Sequence, residues 1–237
     1  MRNHAGHGAE SGSRIPGLTF GGSARGFLPG RQVCSGPSPR RRGKLRTIMK
    51  TQYYTASSLD GFLATEDDSL DWLFPLGSLT ESSYPGFIAQ VGALAMGSAT
   101  YEWMLRNADA VKQETGAAWP YAQPAWVFSS RQLPLIEGAD VRFVSGAVQP
   151  VLASMRAAAG DRNIWIVGGG DLAGQFHDAG LLDEVIVQIG SATLGRGKPL
   201  LPRRLLSPVL QLQSVQQMGT GMAELRYTVC KTQLPGN

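Results

Sequence analysis

Residues 164–173, Ile164-Trp165-Ile166-Val167-Gly168-Gly169-Gly170-Asp171-Leu172-Ala173, place four consecutive apolar side chains directly before three glycines, an acid and the start of a new apolar pattern. A short unbroken apolar run bounded by glycine reads as a strand covered on both faces. Leu172, Phe176 and Ala179 then recur at i, i+4 and i+7, the spacing of an amphipathic helix, and Gly180 supplies its C-terminal cap. A strand that passes through glycines into a helix is the repeating unit of a parallel α/β sheet. Its turn presents free backbone N–H groups and the positive end of the helix dipole to an anion.

Outward from this stretch the same punctuation recurs. Lys50 to Ser57 reads as a strand closed by the turn Leu59-Asp60-Gly61. Ala93 to Met96 is a buried strand stopping at Gly97, and a helix begins by Thr100 and runs to Leu105. Ala125–Phe128 ends at Ser129-Ser130, Val141–Val144 ends at Ser145-Gly146, and residues 149–158 form a helix with Val151, Leu152 and Met155 on one face. Val185 to Ile189 is a further strand. Val209–Met218 and Met222–Lys231 form a hairpin across Gly219-Thr220-Gly221. Residues 64–85 read as an acidic loop, followed after Pro85-Gly86 by a short helix carrying Phe87, Ile88 and Val91. The pattern predicts an α/β fold with a mostly parallel central sheet, helices on both faces and an antiparallel C-terminal hairpin.

Length and charge bound what this fold serves. The 237 residues allow one large domain or a domain with a tail, and 43% hydrophobic residues suffice for a sizeable core. Of the formal net charge of +4, residues 1–48 carry nine basic side chains and one acid, leaving 13 basic and 17 acidic residues in the body. The body is therefore mildly acidic, and a nucleic-acid partner is expected only for the leader, if anywhere. With ten glycines and four prolines, the leader predicts a disordered basic tail, an upstream start codon wrongly assigned, or a targeting or RNA-binding arm. Residues 49–237 are read as the protein proper. No apolar run is long enough to span a membrane. Cys34 and Cys230 lack zinc-ligand spacing and fit a reducing, cytoplasmic setting, and no metal site is expected.

Three strand ends carry small or hydroxyl residues: Gly97-Ser98-Ala99-Thr100, Ser129-Ser130-Arg131 and Gly168-Gly169-Gly170. At the carboxyl ends of parallel strands such residues let a phosphate approach the backbone. The triple glycine is neither a G-x-G-x-x-G fingerprint nor a P-loop, so ATP chemistry is unsupported. Asp171 stands where its carboxylate would cap the helix amides itself and repel a phosphate.

Ser57-Ser58-Leu59-Asp60-Gly61-Phe62-Leu63-Ala64, Met96-Gly97-Ser98-Ala99-Thr100-Tyr101-Glu102, residues 164–173, Gly180-Leu181-Leu182-Asp183-Glu184 and Leu194-Gly195-Arg196-Gly197-Lys198-Pro199-Leu200-Leu201 occur in that order. Together they resemble the dihydrofolate reductase superfamily, in the branch of the C-terminal reductase domain of bifunctional riboflavin-biosynthesis proteins. The resemblance covers about residues 50–231. It implies the dihydrofolate-reductase-like three-layer fold and an NADPH-dependent reductase acting on a small heterocyclic (pterin- or pyrimidine-like) or carbonyl substrate, with NADH not excluded. The alternative is a non-catalytic nucleotide-binding member of the same fold. It places the pyrophosphate at Gly97, Ser98, Ala99 and Thr100 and at Gly168, Gly169, Gly170 and Leu172. The adenosine end falls near Ser129, Ser130 and Arg131, and a homodimer is implied as well.

Two departures bear on ligand choice. Many relatives have arginine where Ser98 stands, which leaves Arg131 as the cation for a 2′-phosphate. Riboflavin reductases commonly carry lysine four positions before the Ser58 counterpart. Tyr54 occupies that place, which argues against a phosphoribosyl-pyrimidine and makes Tyr54 a candidate substrate contact. Reduction of C=N or C=O needs a proton as well as a hydride, and Asp60 and Asp71 are the candidate catalytic acids, with Trp72 bordering the substrate.

Overall fold

The computed structural model describes residues 49–76, 82–206 and 208–231. The chain divides into two units, Met1–Cys34 and Ser35–Asn237, and every described residue lies in the second. The reading of residues 1–48 as a leader therefore falls outside the described residues.

The elements are β1 (Thr51–Ser58), β2 (Phe62–Ala64), a 3-10 turn (Phe74–Leu76), α1 (Tyr84–Ile88), β3 (Val91–Gly97), α2 (Ser98–Arg106), α3 (Ala108–Thr115), β4 (Ala125–Phe128), β5 (Val141–Val144), α4 (Gln149–Ala159), β6 (Asn163–Gly168), α5 (Gly170–Asp178), β7 (Glu184–Gly190), β8 (Lys198–Pro199), β9 (Leu210–Met218) and β10 (Met222–Val229). Eight strands form one sheet in the order β5-β4-β3-β6-β1-β7-β10-β9. The first six are mutually parallel; β10 runs antiparallel to β7, and β9 antiparallel to β10. This is the mostly parallel sheet with a closing hairpin that the sequence predicts.

Strand alternation sorts the core into two layers. Tyr53, Ala93, Ala95, Ile164, Ile166 and Val185 face α4 and α5, which contribute Leu152, Met155, Leu172 and Phe176. Their neighbours Tyr54, Leu94, Met96, Val127, Trp165 and Ile186 face the other way, toward Phe87 of α1 and Tyr101 and Met104 of α2. Each large side chain buried in these layers contributes roughly 1.5–3 kcal/mol of transfer free energy.

Differences from the sequence reading have local causes. Val91 starts β3 rather than ending the α1 helix, because α1 stops at Ile88 and the Val91 backbone pairs with Asn163. The acidic loop holds β2, which pairs antiparallel with β8 in a separate two-stranded sheet. Helix α3, with no buried side chain, leaves no apolar stripe to read. Of the two cysteines, Cys34 lies outside the described residues.

Candidate functional site

Strand β3 leads to β4 and β5 on one side of the sheet, while β6 leads past β1 to β7 on the other. The connecting helices lie on opposite faces, so β3 and β6 flank the point where the winding reverses. Ligands of open α/β sheets sit at the carboxyl ends of strands at such a point.

The two strand ends meet through glycine. A methyl group on Gly169, whose φ is +93°, would lie 3.7 Å from the Cα of Gly97. One on Gly168 would lie 2.6 Å from the Thr100 hydroxyl oxygen. The register shifts here as well, with Met96 paired to Gly168 rather than to Val167. Side chains at these positions would fill the space that the glycines leave between the strands.

Both helices that begin here have open N-termini. The residue before α2 is Gly97 and that before α5 is Gly169, and neither end carries a side-chain cap. The first N–H groups of each helix therefore lack intrahelical partners. Asp171 does not cap them: its carboxylate accepts from Gln175 Nε2 at 2.9 Å and from Arg203 at 3.0 Å. The Gln175 hydrogen bond, seconded by Arg203, holds its carboxyl below the usual range. Arg203 also binds Asp178 at 2.7 Å and lies against Gly174, where any Cβ would meet the guanidinium. Leu172 has its side chain in the core, so only its backbone is available to a ligand.

Arg131 stands beyond the end of β4, where the Ser129 hydroxyl accepts from its amide at 2.9 Å. Ser130 is exposed beside it. The Arg131 guanidinium is already engaged: both terminal nitrogens donate to Glu102 of α2, each at 2.8 Å.

On the other side, Trp72 lies between β2 and the 3-10 turn. Its indole N–H donates to Leu63 O at 3.3 Å, and the ring packs with Leu76 over Gly190 at the end of β7, next to Ser58. Asp71 is exposed, with its amide donating to Ser69 Oγ. Asp60 accepts from Ser58 Oγ at 2.6 Å and from the amides of Leu194 (3.1 Å) and Gly195 (2.7 Å). The Ser58 hydroxyl, followed by those amides, holds the carboxyl below its usual range. A carboxylate held this way is an acceptor that anchors a loop, not a proton donor at neutral pH.

Tyr54 is buried, stacked on Phe87 with ring centroids 4.3 Å apart. Its hydroxyl accepts from Gln188 Nε2 at 2.7 Å and lies 3.2 Å from Ser83 Oγ. Burial raises the phenol above its usual range. Behind it, Glu224 of β10 is 1% exposed and accepts from Ser83, from Gln188 at 3.1 Å and from Arg226 at 2.8 Å. The sequence reading missed this network. Apart from the neighbouring pair Glu224 and Arg226, its bonded members lie 29 to 141 residues apart, and no spacing announces them.

Asp60 fixes the 194–195 loop, which gives a pH-dependent prediction. Its folded pKa is depressed, so its contribution to stability is complete above the unfolded value of about 3.9 and is lost as pH falls through the lower folded value. Protection of the Leu194 and Gly195 amides, as the ratio of intrinsic to observed hydrogen-exchange rate, should therefore fall in Asp60→Asn at pH 6 and, in the wild type, on acidification below the ordinary carboxylate range. Unchanged exchange in the variant would remove the anchor role.

No group of three or more His, Cys, Asp or Glu side chains placed to hold a metal occurs among the described residues, and none of their helices is long and apolar enough to cross a membrane.

Comparison with known proteins agrees with this architecture. The family model described as RibD C-terminal domain matches residues 50–223. The uncharacterized protein YwjB of Bacillus subtilis (strain 168) is 30% identical over 178 residues, covering 75% of this chain and 97% of YwjB. A putative riboflavin biosynthesis protein from Shewanella sp. PV-4 superposes with a TM-score of 0.63 at 23% identity, over 76% of this chain and 99% of the other. Dihydrofolate reductase from Enterococcus faecalis, complexed with NADP(H) and RAB-propyl, gives a TM-score of 0.51 at 15% identity, over 76% of this chain and 95% of the other.

Proposed function

Because the chain belongs to the RibD C-terminal domain family, we propose that it is a nicotinamide-dependent reductase of a small heterocyclic or carbonyl compound. The observation that carries this reading is the pair of uncapped helix N-termini brought together by Gly97 and Gly169 where the sheet reverses its winding. The cradle fits a pyrophosphate: the glycines leave the backbone bare, and Asp171 is withdrawn by Gln175 and Arg203. From β4 to β7 the strand ends span roughly 19 Å at the usual spacing of neighbouring strands, room for two nucleotides joined by that pyrophosphate.

Bound there, the cofactor supplies a hydride. The amides of residues 97–100 and 169–172 hold the phosphates, Arg131 stands at the adenosine half, and Trp72 covers the β1–β7 end where the reacting ring and substrate belong. The solved relative bound to NADP(H) supports the cofactor class. The small molecule stays defined by class: Tyr54 and its network present polar groups, and the network's cation, Arg226, is paired with the Glu224 carboxylate.

Thermal unfolding of the full chain with and without NADPH tests the proposal. Ligand at 100 times its Kd stabilises a folded state by about 2.7 kcal/mol, several degrees for a domain this size. Gly169→Ala should abolish that protection. An unchanged midpoint in the wild type would remove the proposal.

A second reading, a protein that binds the cofactor without reducing anything, is favoured by one observation: Asp60 is committed to the 194–195 loop. Oxidation of NADPH in the presence of any pterin, pyrimidine or quinone would remove it.

A further inference from the structure

We infer that Glu102 sets the coenzyme preference of this chain by occupying Arg131, so that NADPH and NADH bind with similar affinity; the inference rests on the nicotinamide-dependent reading above. The bidentate pair joins α2, whose N-terminus forms one side of the phosphate cradle, to the loop beyond β4. Arg131 is exposed and offers the planar fork that a 2′-phosphate would take. That fork is filled by the carboxylate of Glu102, itself only 26% exposed. A 2′-phosphate arriving here exchanges one anion for another on the same guanidinium and is repelled by the carboxylate it displaces.

Ser98 sharpens the effect. It lies one helical turn before Glu102, at i and i+4, on the same face of α2. A hydroxyl at that position brings no second positive charge to the 2′-phosphate. A coenzyme without that phosphate leaves the pair intact and meets a carboxylate, an acceptor for the free 2′-hydroxyl. The sequence supplies every part of this device, but Glu102 and Arg131 are 29 residues apart and only the fold joins them.

The test is a titration of the full chain with NADPH and, separately, NADH, followed by tryptophan quenching, in wild type, Glu102→Gln, Arg131→Met and the double variant. Wild type is expected to bind both coenzymes within a few-fold. Glu102→Gln should tighten NADPH by about tenfold, the worth of one hydrogen bond to a charged group, and leave NADH unchanged. The gain should vanish in the double variant, which isolates the coupling from any general change in the fold. A preference unaltered in Glu102→Gln, or weaker NADPH binding in that variant, would overturn the inference and leave the proposed function standing. Absence of binding by either coenzyme in wild type would overturn both.

Discussion

Replacing Gly170 with alanine should destabilise the chain by about 3 kcal/mol, the scale of a steric insertion with nowhere to relax. The added methyl would press on the carbonyl oxygens of Pro199 and Leu200, lying 2.5 Å from the second. These are backbone atoms on a strap held from three directions. The Leu200 amide donates to Gly61 O at 2.9 Å, the Tyr53 hydroxyl donates to Leu200 O at 2.9 Å, and β8 pairs with β2. Relaxation must therefore move either the strap or the start of α5. The second route also displaces amides of the phosphate cradle, so the variant should lose cofactor affinity along with stability. Thermal unfolding reads the first effect as a fall of about 10 °C for a domain of this size. A shift below 2 °C would mean that the strap yields freely and does not define the N-terminus of α5.

Removal of the Glu224 carboxylate is the second large effect. Glu224→Ala leaves Ser83, Gln188 and Arg226 without their shared acceptor inside the sheet layer. Breaking a buried pair by deleting one partner costs about 3–5 kcal/mol. Arg226 is 38% exposed and can turn to water, which places the expected loss near the lower end, about 3 kcal/mol. Glu224→Gln keeps one acceptor oxygen and should lose only about 1 kcal/mol, on the order of one net hydrogen bond. Denaturant unfolding of both variants separates the two. Equal and small losses would show that the network does not pin α1 to the sheet. A large loss in Glu224→Ala with retained coenzyme affinity would place the network on the substrate side of the site, beneath Tyr54 and Phe87, and apart from the phosphates.

How far the fold was legible follows from where its information lies. The runs 93–96, 125–128 and 164–167 are short, apolar and bounded by glycine or serine, so each reads locally as a buried strand, and each is one. The Gly180 stop of α5 is equally local: its φ is +68° and its amide bonds back to His177. Glycines 168–170 read as a ligand-friendly turn because the reason for them, absence of Cβ, belongs to each residue alone. What stays hidden depends on distance along the chain. Strand β2 is three residues long and acquires its identity from Lys198 and Pro199 far downstream. Asp60 reads equally as a turn residue or an acid, and only the amides of Leu194 and Gly195 reveal an anchor. Asp171 looks like a cap until Arg203 is seen to hold it. Arg131 looks like a free cation until Glu102 meets it. Charged and polar side chains take their roles from partners that the fold brings in, while glycines and apolar runs carry theirs with them.

The central claim is that the β3 and β6 strand ends form one dinucleotide cradle. The most direct measurement is a crystal structure of the full chain grown with NADPH. The account predicts the pyrophosphate within hydrogen-bond distance of backbone amides in both 97–100 and 169–172, with the nicotinamide toward Trp72 and the adenosine toward Arg131. A cofactor held elsewhere, or one contacting only one of the two helix N-termini, would contradict it.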